Sequence, residues 1–241
     1  MKKNIKHKNI SIENISIEIN TRILFEGVNF TPTPKKWSVI LGKSGVGKST
    51  LIRIMAGLNV IGNVSGTIQK PENIAWMGQN DLLFPWKRVL DNVLLPISLN
   101  GTVTEVNVAQ AKKYLNKVGL IDKADCYVHE LSGGQRQRVA LVRTLMKDAE
   151  VVLMDEPFSA LDAVTKKQCQ KLFHEMLDGK TVVIVRHDVN EAIASSDDIY
   201  VMTNNIPYLQ KIGKMTTPMP RSFDDKQVLQ VSKTAWDLLD V

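Results

Sequence analysis

The chain has 241 residues, enough for one sizeable domain or one domain carrying a subdomain. Apolar residues make up 44% and charged residues 23%, close to the globular average, which excludes a disordered or collagen-like chain. Lys and Arg number 31 against 25 Asp and Glu, and the net +6 suits nucleic acid, an anionic membrane surface or a polyphosphate without choosing among them.

Lys2, Lys3, Lys6 and Lys8 open the chain as a solvated arm. The alternating NISIENISIEI stretch after them contains no apolar h-region or cleavage site, so it does not read as a signal peptide. Ile10, Ile12, Ile15, Ile17 and Ile19 predict a strand, and a second apolar stretch covers 23–30. Pro32 and Pro34 break that pattern, and Trp37–Leu41 then reads as a short buried strand. A glycine-rich loop follows at 42–49. Beyond it Leu51, Ile54, Met55 and Leu58 mark one face of a helix, with Gly57 near its end and Gly62 and Gly66 in the loop beyond. Residues from about 89 to 146 change character. One helix is predicted up to Pro96, a second through Val108, Ala111, Leu115 and Val118, and a third from about Gln135 that buries Val139, Val142, Leu145 and Met146. Strand signals resume at 151–154, Thr181–Val185 and 199–202, with a helix predicted over 165–177. A last helix is expected around Val228, Leu229, Trp236 and Leu239. Strands alternating with helices imply a mainly parallel sheet. No run approaches the roughly 18 apolar residues of a membrane span, so at a membrane another chain would have to cross it. Cys126 and Cys169 lack a CxxC partner and read as reduced thiols.

The pattern G-x-x-x-x-G-K-[ST] is met by Gly42, Gly47, Lys48 and Ser49, with Lys43, Ser44, Gly45 and Val46 between. Glycines let the backbone curl until several N–H groups point at one place, and the following helix adds its positive dipole end. Lys48 can then reach the β- and γ-phosphates of a nucleotide, Ser49 can hold Mg²⁺, and Thr50 supports the α-phosphate. A glycine turn capping an ordinary helix is the plainer alternative, and the strand before and helix after argue against it. Asp155 and Glu156 end the apolar run VVLM, where unpaired charge is costly. Magnesium bound to nucleotide supplies a reason: Asp155 coordinates or orients the ion, and Glu156, one residue nearer the γ-phosphate, polarises an attacking water. A capping acid pair at a strand end is the alternative. A second glycine loop, Leu131-Ser132-Gly133-Gly134-Gln135, precedes the third helix of the insertion and by the same physics can bind an anion. Only the first loop has a lysine and nearby acids, so the second would serve the nucleotide of another molecule, two copies enclosing two ATPs head to tail. A glycine N-cap without ligand is the alternative.

At these residues the chain resembles the ATP-binding subunit of an ABC transporter, whose signature is LSGGQ. The likeness covers about Ile10 to Thr203, with the motifs in the family's order. It implies an α/β fold: a P-loop NTPase core with a mainly parallel sheet, an N-terminal antiparallel β region and a helical insertion. A single ATPase domain would span 1–241, its core 1–87 and 147–220, its insertion about 88–146 and a C-terminal helix about 221–241. The resemblance makes Gln79 the Q-loop glutamine that contacts magnesium and signals to the membrane subunit. Ser159 to Asp162 resemble the D-loop at the dimer interface, and His187 falls at the switch histidine that senses the γ-phosphate. Three departures stand out: Ile19 where an adenine-stacking aromatic is usual (Phe25 and Phe30 lie further along), Arg186 where a small hydroxyl residue precedes the histidine, and Lys35-Lys36-Trp37 in place of Gly-Glu. Asp81-Leu82-Leu83-Phe84-Pro85-Trp86 resembles importer ATPases for nitrate, sulfonates, taurine and thiamine-precursor pyrimidines. Exposed Leu83, Phe84 and Trp86 would form an apolar groove for a helix of the membrane-spanning permease subunits; burial in the core of the insertion is the alternative. The expected protein is an ATPase using ATP and Mg²⁺, peripheral at the cytoplasmic face of the inner membrane. It would pair with a second copy and depend indirectly on a solute-binding protein, with no nucleic acid. A soluble relative acting on nucleic acid or ribosomes is the competing reading, motivated by the +6 charge.

Overall fold

A computed structural model describes residues 9–219, 221–222 and 224–239; the lysines of the expected N-terminal arm lie outside them. The chain opens with β1 (Ser11–Ile19), β2 (Arg22–Phe30) and β3 (Trp37–Leu41). Then come α1 (Lys48–Ala56), β4 (Asn63–Gln69), β5 (Ile74–Met77), α2 (Val89–Ser98), α3 (Glu105–Lys117) and α4 (Gly133–Leu145). The remainder is β6 (Val151–Asp155), α5 (Ala163–Met176), β7 (Thr181–Val185), α6 (Val189–Ala194), β8 (Asp198–Met202), β9 (Leu209–Lys214) and α7 (Lys226–Leu239). They fall into two compact units, one of Met1–Ile74, Glu150–Asp155 and Gly179–Val241, the other of Ala75–Ala149 and Glu156–Asp178.

In the first unit, β6, β7, β3, β8 and β9 lie in that order in one sheet. Pairing is parallel from β6 to β8, and β9 is antiparallel to β8. Every residue of β3, β6, β7 and β8 is buried, as the unbroken apolar runs require of strands covered on both faces. A separate antiparallel sheet, β2-β1-β4, buries Ile12, Ile15 and Ile17 with Phe25, Val28 and Phe30. The three-residue step from Ile12 to Ile15 is absorbed by a bulge at Asn14, whose φ of 53° returns the next isoleucine to the core face. Lys35 adopts the left-handed φ of 57° in the turn before β3, and its N–H donates to Thr181 Oγ1 at 2.9 Å. The second unit is helical after β5, with α4 packed against α2, α3 and α5.

Several expectations need correction. β4, in which Asn63 to Gly66 and Thr67 are exposed, was expected to be loop because it carries almost no apolar signal. α2 continues past Pro96 to Ser98, since a proline this close to the end removes only one i→i−4 donor. α4 begins at Gly133 rather than near Gln135, because Ser132 caps it, and α5 begins at Ala163 because Asp162 does the same. On α7 the buried stripe is Val228, Val231, Ser232, Ala235 and Leu239, while Leu229 and Trp236 face outward. Among the described residues no helix is long and apolar enough to cross a membrane.

Candidate functional site

The parallel register of the first unit decides where the polar loops emerge. Ile40 pairs with Val185, and Val185 with Asp155, so β3, β7 and β6 end side by side. From that one edge leave the glycine loop, His187 and Asp155. Open α/β sheets bind ligands at this edge, outside the carboxyl ends of their strands.

The loop itself is built by two glycines at φ 81° (Gly45) and 108° (Gly47), values that side chains rarely adopt. A Cβ at Gly47 would also press on the ring of Phe25 at 2.9 Å, and one at Gly42 on the Met202 carbonyl at 2.7 Å. Lys43, Ser44 and Gly45 are exposed at the tip, whereas Val46, Gly47 and Lys48 are buried. Lys48 is 6% exposed, and its Nζ donates to the carbonyls of Gly42 (2.7 Å) and Lys43 (2.9 Å), which keeps the ammonium inside the curl. α1 starts directly at Lys48 with no acid of its own in the first turn, so its positive dipole end faces the loop and the Asp155 carboxylate that Ser49 meets. The exposed Ser49 donates its hydroxyl to Asp155 Oδ1 at 2.8 Å. Asp155 is 4% exposed, and Thr50 is half-buried.

Just past the end of β7, Arg186 is buried and His187 is exposed. Burial pushes the Arg186 guanidinium down to about 10, opposed by Glu191 and Asp188, and its Nη1 lies 3.7 Å from Glu191 Oε2. Asp188 caps α6 by accepting the Glu191 N–H at 2.9 Å. Phe25 and Phe30 are 0% and 3% exposed, so neither ring is open to a stacking base, and Ile19 is half-exposed.

In the second unit, Glu156 stands at φ 45°, half-exposed, and its carbonyl accepts the Ser159 N–H at 3.2 Å. A left-handed residue of this type is sparsely populated and is held there by its surroundings. Ser159, Ala160 and Asp162 are exposed, and Asp162 accepts the N–H groups of Val164 (3.1 Å) and Thr165 (3.0 Å). Those bonds, the Thr165 N–H above all, hold its carboxyl below the usual range.

The LSGGQ loop faces outward at its serine. Ser132 is exposed, Gly133 and Gln135 are half-exposed, and Gly134 is buried against α5. Ser132 and Gln135 form a reciprocal capping box, with the Ser132 N–H donating to Gln135 Oε1 at 2.8 Å and the Gln135 N–H to Ser132 Oγ at 3.3 Å. A Cβ on Gly134 would overlap Thr165 Cγ2, so only glycine lets these helices approach so closely. Cys169 lies beneath, its thiol 4.0 Å from the Gly134 carbonyl and its pKa raised by burial; both cysteines are free.

Gln79 is exposed just after β5. The apolar segment beyond it corrects one expectation. Leu83 is 7% exposed and belongs to the core, whereas Leu82 is 51% and Trp86 70% exposed, with Phe84 half-buried and stacked on Trp86 at 5.1 Å. The inversion arises because Leu82 adopts φ 50° and Asp81 Oδ1 accepts the Leu83 N–H at 3.0 Å, a turn that drives Leu83 inward.

Sequence reasoning also missed what holds this segment. Arg136, on the helix that begins in the LSGGQ loop, pairs with Asp81 at 3.0 Å, and Arg143 donates to the carbonyls of Asp81 and Leu82 at 2.6 Å each. Asn92, fully buried, accepts the Phe84 N–H at 2.7 Å and donates to the carbonyls of Phe84, Lys87 and Arg88. A polar residue on the apolar face of α2 was the available signal.

A family model described as ABC transporter matches residues 25–159. An ABC transporter ATP-binding protein of Haemophilus influenzae is 44% identical over 195 residues, 80% of this chain and 81% of that protein. The aliphatic sulfonates import ATP-binding protein SsuB 2 of Streptomyces avermitilis is 36% identical over 221 residues, 90% of this chain and 84% of its own. Among solved structures, cbiO1 of Clostridium perfringens, part of the ABC transporter complex cbiONQ, superposes with a TM-score of 0.72 at 26% identity, covering 82% of this chain and 86% of that one.

Proposed function

The chain belongs to the ABC transporter family as one of its ATP-binding proteins, and from that premise we propose that it is the ATP-hydrolysing, energy-coupling subunit of an importer for a small solute. The sulfonate importers among its relatives make a sulfonate-like anion the first solute to try. The observation that carries the nucleotide reading is the Ser49–Asp155 hydrogen bond of 2.8 Å beside the Lys48 loop. It sets a hydroxyl and a carboxylate, both hard oxygen donors, next to a cradle of N–H groups, and such donors suit Mg²⁺ shared with phosphates.

In this reading the N–H groups of Gly45, Gly47 and Lys48 with their neighbours hold the phosphates, and Thr50 supports the α-phosphate. Lys48 exchanges its loop carbonyls for phosphate oxygens and stabilises their charge. Ser49 and Asp155 would hold Mg²⁺, which would neutralise charge on the phosphates. Glu156 orients and deprotonates the attacking water. The roles of Gln79 at the metal and His187 at the γ-phosphate rest on the family resemblance. Ser132, Gly133 and Gly134 complete the nucleotide site of a second copy in a head-to-tail pair, with Asp162 near that interface, and the outward-facing Ser132 supports this. Leu82, Phe84 and Trp86 offer the apolar surface for a permease subunit at the cytoplasmic face of the membrane.

Glu156→Gln provides the test. It retains shape and ATP binding but removes the base, so the variant should bind ATP, hydrolyse it at least a hundredfold more slowly, and accumulate as a closed dimer in size-exclusion chromatography. Hydrolysis at the wild-type rate would overturn the assignment.

A further inference from the structure

The C-terminal helix α7 is tied down at its beginning. Asp225 caps it by accepting the Gln227 N–H at 2.7 Å, and the Gln227 side chain accepts the Thr216 N–H at 3.0 Å and donates to the Lys214 carbonyl at 3.2 Å. One turn on, Val231 rests on Gly213, where a Cβ would come within 2.9 Å of it. At about 1.5 Å per residue, the last turn lies roughly 18 Å beyond Gln227. There Leu238 and Leu239 line a cavity of about 130 Å³ together with Lys43 and Val46 of the glycine loop, Met202, Gln210 and the polar stretch 203–205. The same loop leans on the end of β8, since a Cβ at Gly42 would meet the Met202 carbonyl at 2.7 Å and Val46 Cγ1 at 2.9 Å.

We propose that the last turn of α7 positions the phosphate-binding loop: Leu238 and Leu239 back Val46 and the stem of Lys43, and so fix the N–H groups that meet the nucleotide. The reason is mechanical. Beside the Lys48 bonds to the Gly42 and Lys43 carbonyls, which hold the loop from within, the walls of this cavity support its inner side. Two of those walls are leucines at the end of a helix anchored far away, so a change in how α7 seats would reach the triphosphate site without touching a ligand. Leu238 and Leu239 are positioning residues in this scheme, and the inference rests on the ATP reading given above.

Leu238→Ala/Leu239→Ala and Leu238→Phe, made in the full chain, test it by the Kd of a fluorescent ATP analogue, the KM and kcat of hydrolysis, and Tm. Enlarging the cavity should raise Kd and KM three- to tenfold with kcat changed less than twofold, and Leu238→Met/Leu239→Met should restore both. Leu238→Phe, which fills the space, should tighten binding at least twofold and remains informative if the alanine variant does not fold. Lys48→Ala serves as the control that abolishes binding. A lowered Tm with unchanged Kd and KM, or an unchanged Kd in Leu238→Phe, would overturn the inference while leaving the ATP assignment intact. A wild-type chain unable to bind ATP would instead remove the function it rests on.

Discussion

Gly134→Ala isolates the contact between the LSGGQ helix and α5. The position is helical and its φ is not positive, so alanine suits the backbone and would by propensity alone stabilise it by up to about 1 kcal/mol. The obstacle is space: the new methyl overlaps Thr165 Cγ2, while Thr165 Cβ and Oγ1 are at 3.6 and 4.0 Å, ordinary contacts. Overpacking of this kind costs about 1–3 kcal/mol, so the net loss is up to about 2 kcal/mol. With a urea m-value of about 3 kcal/mol/M, the unfolding midpoint should fall by up to roughly 0.7 M. Thr165→Ser removes only the offending methyl and keeps the hydroxyl that bonds Asp162. The double variant should therefore recover most of the loss, giving a coupling energy of about 1–2 kcal/mol in a mutant cycle. Urea unfolding followed by tryptophan fluorescence measures all four proteins. Strict additivity in the double variant would refute the packing argument.

Asn92→Leu removes the partner of the Phe84 N–H and the Lys87 carbonyl, while the Phe84 and Arg88 carbonyls keep the Lys87 and residue-92 N–H groups, at about 1–3 kcal/mol for each group left unsatisfied; a lower unfolding midpoint and altered Trp86 fluorescence are expected. Asp162 has its pKa lowered by backbone hydrogen bonds, so the stability it adds is full above its unfolded pKa and fades as pH falls through the lowered folded value. Asp162→Asn, which keeps a capping oxygen, should lose that acid-side dependence in pH-resolved thermal melts. Trp86→Ala should leave the ATPase rate of the isolated chain within twofold yet weaken copurification with permease subunits, and retained copurification would count against the docking surface.

Much of the phosphate-binding edge was legible because it is local. The glycine pattern, Lys48 and Ser49 occupy eight consecutive positions, and β3, β6 and β7 announce themselves as apolar runs ending in polar residues. β4 and β9 were not legible, because their mostly polar residues supply no period-two signal. Leu82 and Leu83 were exchanged for a related reason: two identical neighbours carry no sign of which one a left-handed turn will bury. The grips of Arg136, Arg143 and Asn92 on the segment after Gln79 span up to 62 positions and depend on how helices meet, which no local pattern encodes.

The reciprocal bonding at the head of α4 has a consequence for turnover. Ser132 Oγ receives the Gln135 N–H through a lone pair, which leaves its own proton uncommitted to that bond. In the proposed pair, an oxyanion presented by the second copy would accept a hydrogen bond from that hydroxyl while the first helical turn stays wound. Docking and release would then repeat without melting and rebuilding this end of the helix, and the speed of opening would be set by the grip on the nucleotide rather than by local refolding.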